Sequence, residues 1–234
     1  MRQFTHILKK EFKDYFISPI AYIVISIFLI ITGWFFFSTF FIYDQASLRS
    51  FFSLLPLIFS FVIPAITMRL FAEELNMGSY EVLTTMPVTT GDIIFGKFSA
   101  GVVMTGAMLL PTLAYPISIS FLGDLDWGPV IGGYIGALLL GGAFSAIGVF
   151  ASSLTHNQII AFIVGAAVCF LLTLVDKMLF FFPEKILSVV QYLGADTHFQ
   201  NIAKGIIDSR DILYFLSVIF IGLYGTYLSL LKKE

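Results

Sequence analysis

The sequence is short of cysteine and of charge, and both shortages narrow what the protein can do. Cys169 is the only cysteine among 234 residues, so an intrachain disulfide is impossible and a cysteine-based metal site is disfavoured. Charged residues make up 12% of the chain, against about 25% in soluble domains. The net charge is −2, so the chain lacks the basic excess with which nucleic-acid-binding proteins attract phosphates. We therefore expect no nucleic acid partner.

Apolar residues take the place of the missing charges. They make up 58% of the chain, which has 27 phenylalanines, and the mean hydropathy is +0.94. A chain of this length cannot hide so much apolar surface from water, so we predict an all-α integral membrane protein. Five stretches lack Asp, Glu, Lys and Arg, and the longest, 127–175, has room for two helices around a polar turn at 152–158. Since a span needs about 20 residues, the six predicted spans are 20–41, 52–72, 95–122, 129–153, 158–176 and 211–231.

The middles of these predicted spans contain no Asp, Glu, Lys or Arg. Ion-coupled carriers usually place ionisable residues at that depth, so the sequence disfavours such a carrier and favours an external source of energy. The basic residues between spans indicate the orientation, because they are enriched on the cytoplasmic side. Eight of them lie on the side of the N-terminus and five on the other. We expect a multi-pass membrane protein with both termini in the cytoplasm.

The segment 1–18 is predicted to be a separate amphipathic helix. Apolar residues such as Phe4, Ile7 and Leu8 recur at helical spacing, and Lys9 and Lys13 lie mostly off that face. Such a helix can lie on the inner leaflet and bind anionic lipid. The alternative is a solvated helix that simply precedes the first span.

The stretch GDIIFGKF, 91–98, has the glycine and lysine spacing of a phosphate-binding loop. Phe98 stands where that motif needs Ser or Thr as a magnesium ligand, and no apolar strand precedes Gly91. Thr89 and Asp92 instead resemble a capping box at the start of a helix, which would let Lys97 reach back to the membrane interface. We therefore expect no catalytic residue, cofactor or metal on this chain, which by itself is not an enzyme.

The predicted inner loop 73–94 contains a short helix between two spans. The chain breaks at Gly78 and Ser79, where Ser79 can cap the helix and Glu81 lies in its first turn. Pro87 ends it. A helix of about two turns is not stable alone, so it must dock on its own bundle, on lipid or on a soluble partner.

This loop resembles that of the permease subunits of ABC-2 type transporters. The pattern is E-E-x-x-x-G-[ST]-x-E-x-L-x-x-x-P-[VI], followed by G-K at the start of the third span. The matching residues are Glu73, Glu74, Gly78, Ser79, Glu81, Leu83, Pro87, Val88, Gly96 and Lys97.

The resemblance implies that 78–87 is a coupling helix that fits a groove in a separate ATPase dimer, where ATP and magnesium would bind. Glu81, with Tyr80 and Leu83, would seat this helix, and Glu73 and Glu74 would support its base by pairing with Arg69. A second permease, identical or homologous, would complete the pathway. The single domain 1–234 then divides into 1–18, spans 20–72, the loop 73–94, spans 95–176, the outer loop 177–210 and the last span with its tail, 211–234.

Two further stretches are similar to gliding-motility permeases of the GldF type, 18–37 and 198–217, the second also to NosY-like permeases. That similarity implies an auxiliary membrane protein with a large outer domain. In the outer loop, 184–193 and 197–208 are amphipathic, and the family implies short re-entrant helices there; a plain interfacial loop is the alternative. The function implied by the resemblance is ATP-driven export or mechanical signalling across a bacterial inner membrane. The alternative is a non-transporting scaffold for outer-side partners.

Overall fold

The computed structural model describes residues 2–43, 47–84, 87–121, 123–178, 192–206 and 208–233, and its regular structure there is helical, which confirms the all-α prediction. The helices are α1 (Arg2–Ile17), α2 (Ile20–Tyr43), α3 (Arg49–Thr67), α4 (Arg69–Met77), α5 (Ser79–Thr84), α6 (Thr90–Thr112), α7 (Ala114–Ser120), α8 (Trp127–Leu154), α9 (Gln158–Leu174), α10 (Ala195–Ala203) and α11 (Ser209–Leu231).

Five stretches of the described helices are long and apolar enough to cross a membrane. They are Ile20–Ser38, Arg49–Met77, Thr90–Ser120, Trp127–Leu154 and Ser209–Leu231. The remaining predicted span, 158–176, is the 17-residue apolar helix α9, which at about 1.5 Å per residue is roughly 25 Å long. It ends at Leu174, ahead of its predicted end, because the chain then forms a turn through 175–178.

Helix α8 is the centre of the bundle. In its most apolar 18-residue stretch 78% of the residues are buried, against 22% in α2 and in α11. Glycines allow this close packing: a Cβ atom at Gly141 would run into Thr105 of α6, and one at Gly148 into Thr67 of α3. The exposed faces of α2 and α11 are rich in large apolar side chains, which suits contact with lipid.

The third span begins earlier than predicted and is broken in its second half. Thr89 caps α6, since its hydroxyl accepts from the Asp92 backbone N–H at 3.2 Å and donates to the Asp92 carboxylate at 2.8 Å. This confirms the cap and places the glycines of 91–98 inside a helix. At the other end, Pro116 has no N–H to offer the Thr112 carbonyl. The Tyr134 hydroxyl of α8 donates to that carbonyl instead, at 2.9 Å, so the Thr112 carbonyl has a donor despite the break at Leu113.

Helices α1, α4 and α5 lie at one end of the bundle, called here the α1 end, and α10 lies at the other, the α10 end. Helix α10 packs on the first part of α8, where Gly132 and Gly136 face Ile202 and Phe199. It therefore reaches about two turns down α8 from its start. The predicted helix at 197–208 is thus present at Ala195–Ala203, whereas most of the other predicted segment, 184–193, lies outside the described residues.

Candidate coupling site at the α1 end

The predicted break before the short helix is confirmed. Gly78 has φ +69°, the left-handed conformation that ends many helices and favours glycine. Ser79 is the first residue of α5, and its hydroxyl donates back to the Glu74 carbonyl at 3.4 Å. Ser79 therefore helps to close α4 in addition to opening α5.

The side chains of α5 point in two directions. Tyr80 is buried, with its ring 6.3 Å from that of Phe71, and Leu83 is partly buried against the same core. Glu81 and, beyond α5, Pro87 are exposed. Tyr80 and Leu83 thus fasten α5 to its own bundle, and the surface that α5 offers to a partner contains Glu81.

The environment of Lys97 differs from the one that the sequence predicted. We expected it to extend to the membrane interface, but its side chain is only 1% exposed. Its ammonium lies 2.8 Å from a Glu11 oxygen, 2.9 Å from a Glu74 oxygen and 2.6 Å from the Leu70 carbonyl. An ammonium has three N–H donors, and α1 and α4 bring three acceptors to it. Lys97 is therefore buried because these acceptors replace water, and it joins α6 to α1 and α4.

The prediction that Glu73 and Glu74 pair with Arg69 to support α5 is wrong about the pairing. Glu74 pairs with Lys97 and, at 3.7 Å, with Lys10, while Glu73 is only partly buried. The Arg69 guanidinium instead lies over the Tyr15 ring, 4.6 Å from its centroid. The Tyr15 hydroxyl donates to the Ile66 carbonyl at 3.1 Å, and burial raises the pKa of this hydroxyl well above its usual value, so it keeps its proton.

Ser152 of α8 holds the joint between α3 and α4. Its hydroxyl accepts from the backbone N–H groups of Phe71, at 3.0 Å, and Ala72, at 2.9 Å, and donates to the Met68 carbonyl at 2.6 Å. These donors lie in the first turn of α4, where a helix has no internal partners for them. Met68 is the one residue between the two helices. A single hydroxyl thus ties the joint to the central helix.

Together these contacts form what we call the inner junction: Lys97 with Glu11, Glu74 and the Leu70 carbonyl, and Ser152 with the α3–α4 joint. These contacts connect α4, which continues through Gly78 into α5, to α1, α6 and α8. Sequence patterns predicted the break at Gly78 and the short helix after it but missed Glu11 and Ser152. The available signal was Lys97 itself, a lysine inside an apolar run that required acceptors. In the described residues, no group of three or more His, Cys, Asp or Glu side chains is arranged to hold a metal ion.

A family model described as "ABC-2 family transporter protein" matches residues 5–217. The match includes most of α1, the inner junction, α5 and α10, and ends within α11. No curated protein matches the chain.

Proposed function

Because the chain belongs to the ABC-2 family of transporter proteins, and is thus a permease-type membrane component of an ABC transporter, we propose that it couples ATP hydrolysis by a separate ATPase to export or to a mechanical signal. In this proposal the α1 end faces the cytoplasm of a bacterial inner membrane. ATP and magnesium bind to the ATPase and not to this chain. A second permease, identical or homologous, forms the other half of the pathway.

The observation that carries the proposal is the attachment of α5. This six-residue helix is fastened from behind by Tyr80 and Leu83, and it leaves Glu81 exposed on the opposite side. It is continuous, through Gly78, with a helix that the inner junction holds to three others. Short polar contacts therefore connect α5 to the spanning helices, so that in this proposal a force on α5 displaces those helices.

We propose roles for the site residues on this basis. Glu81 and Pro87 contact the ATPase groove, and Tyr80 and Leu83 keep α5 in place when it is pushed. Gly78 and Ser79 set the bend between α4 and α5. Glu74 transmits the displacement to Lys97, and Glu73, next to it, borders the same surface.

Further partners follow from the same assignment. Helix α1, with its lysines, contacts anionic lipid at the inner leaflet. The similarity of 18–37 and 198–217 to permeases of the GldF type supports an auxiliary membrane protein with a large outer domain, which would contact the α10 end.

The full chain, co-expressed with the ABC ATPases of its source organism, tests the proposal. Native mass of the detergent-solubilised complex should show two permeases with two ATPases. Glu81→Lys should abolish co-purification and the stimulation of ATP hydrolysis in a protein that still folds, since Glu81 is exposed. Asp124→Lys, an exposed charge reversal at the α10 end, is the matched control and should retain both activities.

Two outcomes would contradict parts of this proposal. If Glu81→Lys retains full ATPase binding and stimulation, α5 is not the docking element. If the complex forms but the permease leaves ATP hydrolysis unchanged in lipid, the scaffold function replaces the transporter.

A further inference from the structure

A second polar contact lies buried at the α10 end, between α10 and the start of α11. His198 Nδ1 lies 2.6 Å from an Asp211 carboxylate oxygen, and His198 Nε2 lies 3.2 Å from the Tyr192 carbonyl oxygen. The residues are 5% and 3% exposed. The other Asp211 oxygen has no hydrogen-bond partner among the described residues. Within this part of the chain, His198 is therefore the side chain that pairs with the Asp211 carboxylate.

The two hydrogen-bond partners of His198 determine how many protons the His198–Asp211 pair holds. A carbonyl oxygen can only accept, so Nε2 must carry a proton. An ionised carboxylate can also only accept, so Nδ1 must carry one as well. Both bonds exist together only if the pair holds one proton more than a neutral histidine beside an ionised aspartate.

Two neighbours favour placing that proton on the ring of His198. Asp211 is in the first turn of α11, where the helix dipole favours a negative charge. Tyr214 stacks on the imidazole, with ring centroids 4.2 Å apart and planes 20° apart, and an aromatic face attracts a cation. The Tyr214 hydroxyl donates to the Leu193 carbonyl at 2.7 Å, which holds the ring in that position.

Two other carboxyl groups lie near the pair, one on α10 and one after α9. Asp196 of α10 pairs with Lys177, at 3.7 Å, and accepts from Gln200. Asp176, after α9, accepts from the Thr197 backbone N–H at 2.8 Å, and desolvation raises the pKa of its carboxyl. The remaining charged residues described at this end are all exposed: Arg49 at the start of α3, Asp124 and Asp126 before α8, and Lys204, Asp208 and Arg210. Helix α8 itself carries no charge, and its only tyrosine is Tyr134.

From this geometry we infer that His198 and Asp211 form a binding site for one proton, and that the bound proton holds α10 against α11. When the proton leaves, the imidazole offers one N–H and one lone pair to two acceptors, so one of the two bonds must break. The proton is bound in the docked state, so docking is favoured at low pH and weakens as the pH rises. The ligand is a proton taken from the water on the α10 side of the membrane.

Nitrogen-15 NMR of the full chain in lipid, labelled in its three histidines, reads this proton directly. His6 and His156 are exposed, so their signals serve as internal references for imidazoles in contact with solvent. At about pH 7.5 one histidine should still show two protonated ring nitrogens. His198→Gln should remove that signal, and Asp211→Asn should convert it to a neutral ring. A spectrum in which all three histidines are neutral would overturn the inference, as would a His198 signal that Asp211→Asn leaves unchanged.

Amide hydrogen exchange tests the consequence for α10 without any variant at the pair. After correction for the intrinsic rate, exchange within 195–203 should rise about tenfold between about pH 6 and pH 9, relative to the central part of α8. Asp196→Asn, which alters a buried aspartate of the same helix that does not contact the imidazole, should retain this rise. His198→Gln should exchange at one rate across the range. Equal pH dependence in the wild type and in His198→Gln would show that the proton does not hold α10.

Discussion

The two ends of the bundle fasten a short helix to the spans by different chemistry. At the α1 end, Lys97 lies among three oxygens from α1 and α4. At the α10 end, His198 lies between a carboxylate and a carbonyl. Among unperturbed side chains only histidine changes charge between about pH 5 and 8. The lysine attachment is therefore suited to a link that persists in every state, and the histidine attachment to one that opens and closes.

Removing the central cation should have the largest effect. Lys97→Met takes the cation away from Glu11 and leaves Glu74 with only the exposed Lys10, at 3.7 Å. Breaking a buried ion pair by removing one partner typically costs about 3–5 kcal/mol. We expect a large fall in the melting temperature of the detergent-solubilised protein, measured by intrinsic fluorescence.

The control for this change removes the charges together. Lys97→Met combined with Glu11→Gln and Glu74→Gln leaves no buried charge in the triad and should regain a substantial part of the lost stability. A single Lys97→Met variant as stable as the wild type would show that the ion pairs do not hold the α1 end.

A methyl group at the α10 end should have the next largest effect. In Gly132→Ala the new Cβ meets the Ile202 backbone carbonyl, which cannot rotate aside, so α10 must move away from α8 at a cost of about 1–3 kcal/mol. Hydrogen exchange within 195–203 should increase while the α1 end remains protected. Gly106→Ala is the matched control, since its nearest neighbour would be a flexible Leu138 atom at 3.8 Å. Equal protection of 195–203 in the two variants would contradict this packing.

The smallest expected effect is the difference in stability between variants of two adjacent buried serines. Ser152→Ala removes the hydroxyl that serves three backbone groups of the α3–α4 joint and should cost about 1–3 kcal/mol. The hydroxyl of Ser153 donates only within its own helix, to the Phe150 carbonyl, so Ser153→Ala should cost less. The difference in melting temperature between the two variants measures the joint itself. If Ser153→Ala is the more damaging, the joint depends on other contacts.

The structural features that were predicted correctly from the sequence are local ones. The Thr89 cap, the break at Gly78 and the apolar spans depend on residues within a few positions of each other. The burial of Lys97 was not predicted, because the sequence indicates only how far along its own helix Lys97 lies. Its partners Glu11 and Glu74 come from two other helices. The same limit applies to Ser152 and the joint, which are more than 70 residues apart in the chain.

The break in the third span was missed for a related reason. A proline within an apolar run is common in membrane helices and does not by itself indicate where a helix separates. The separation at Leu113 is stable because Tyr134, on the following span, supplies the missing donor to Thr112. That contact becomes visible only when the two spans are packed together.

The single cysteine also makes the protein convenient for spectroscopy. Cys169 is fully buried within α9, so thiol reagents that label surface positions should leave it unmodified in the folded state. A cysteine introduced at Glu81 or at Lys204 would then be the only accessible thiol in each chain. Spin labels or fluorophores at these two positions would report separately on the two ends of the bundle, in a protein whose native sequence needs no prior removal of thiols.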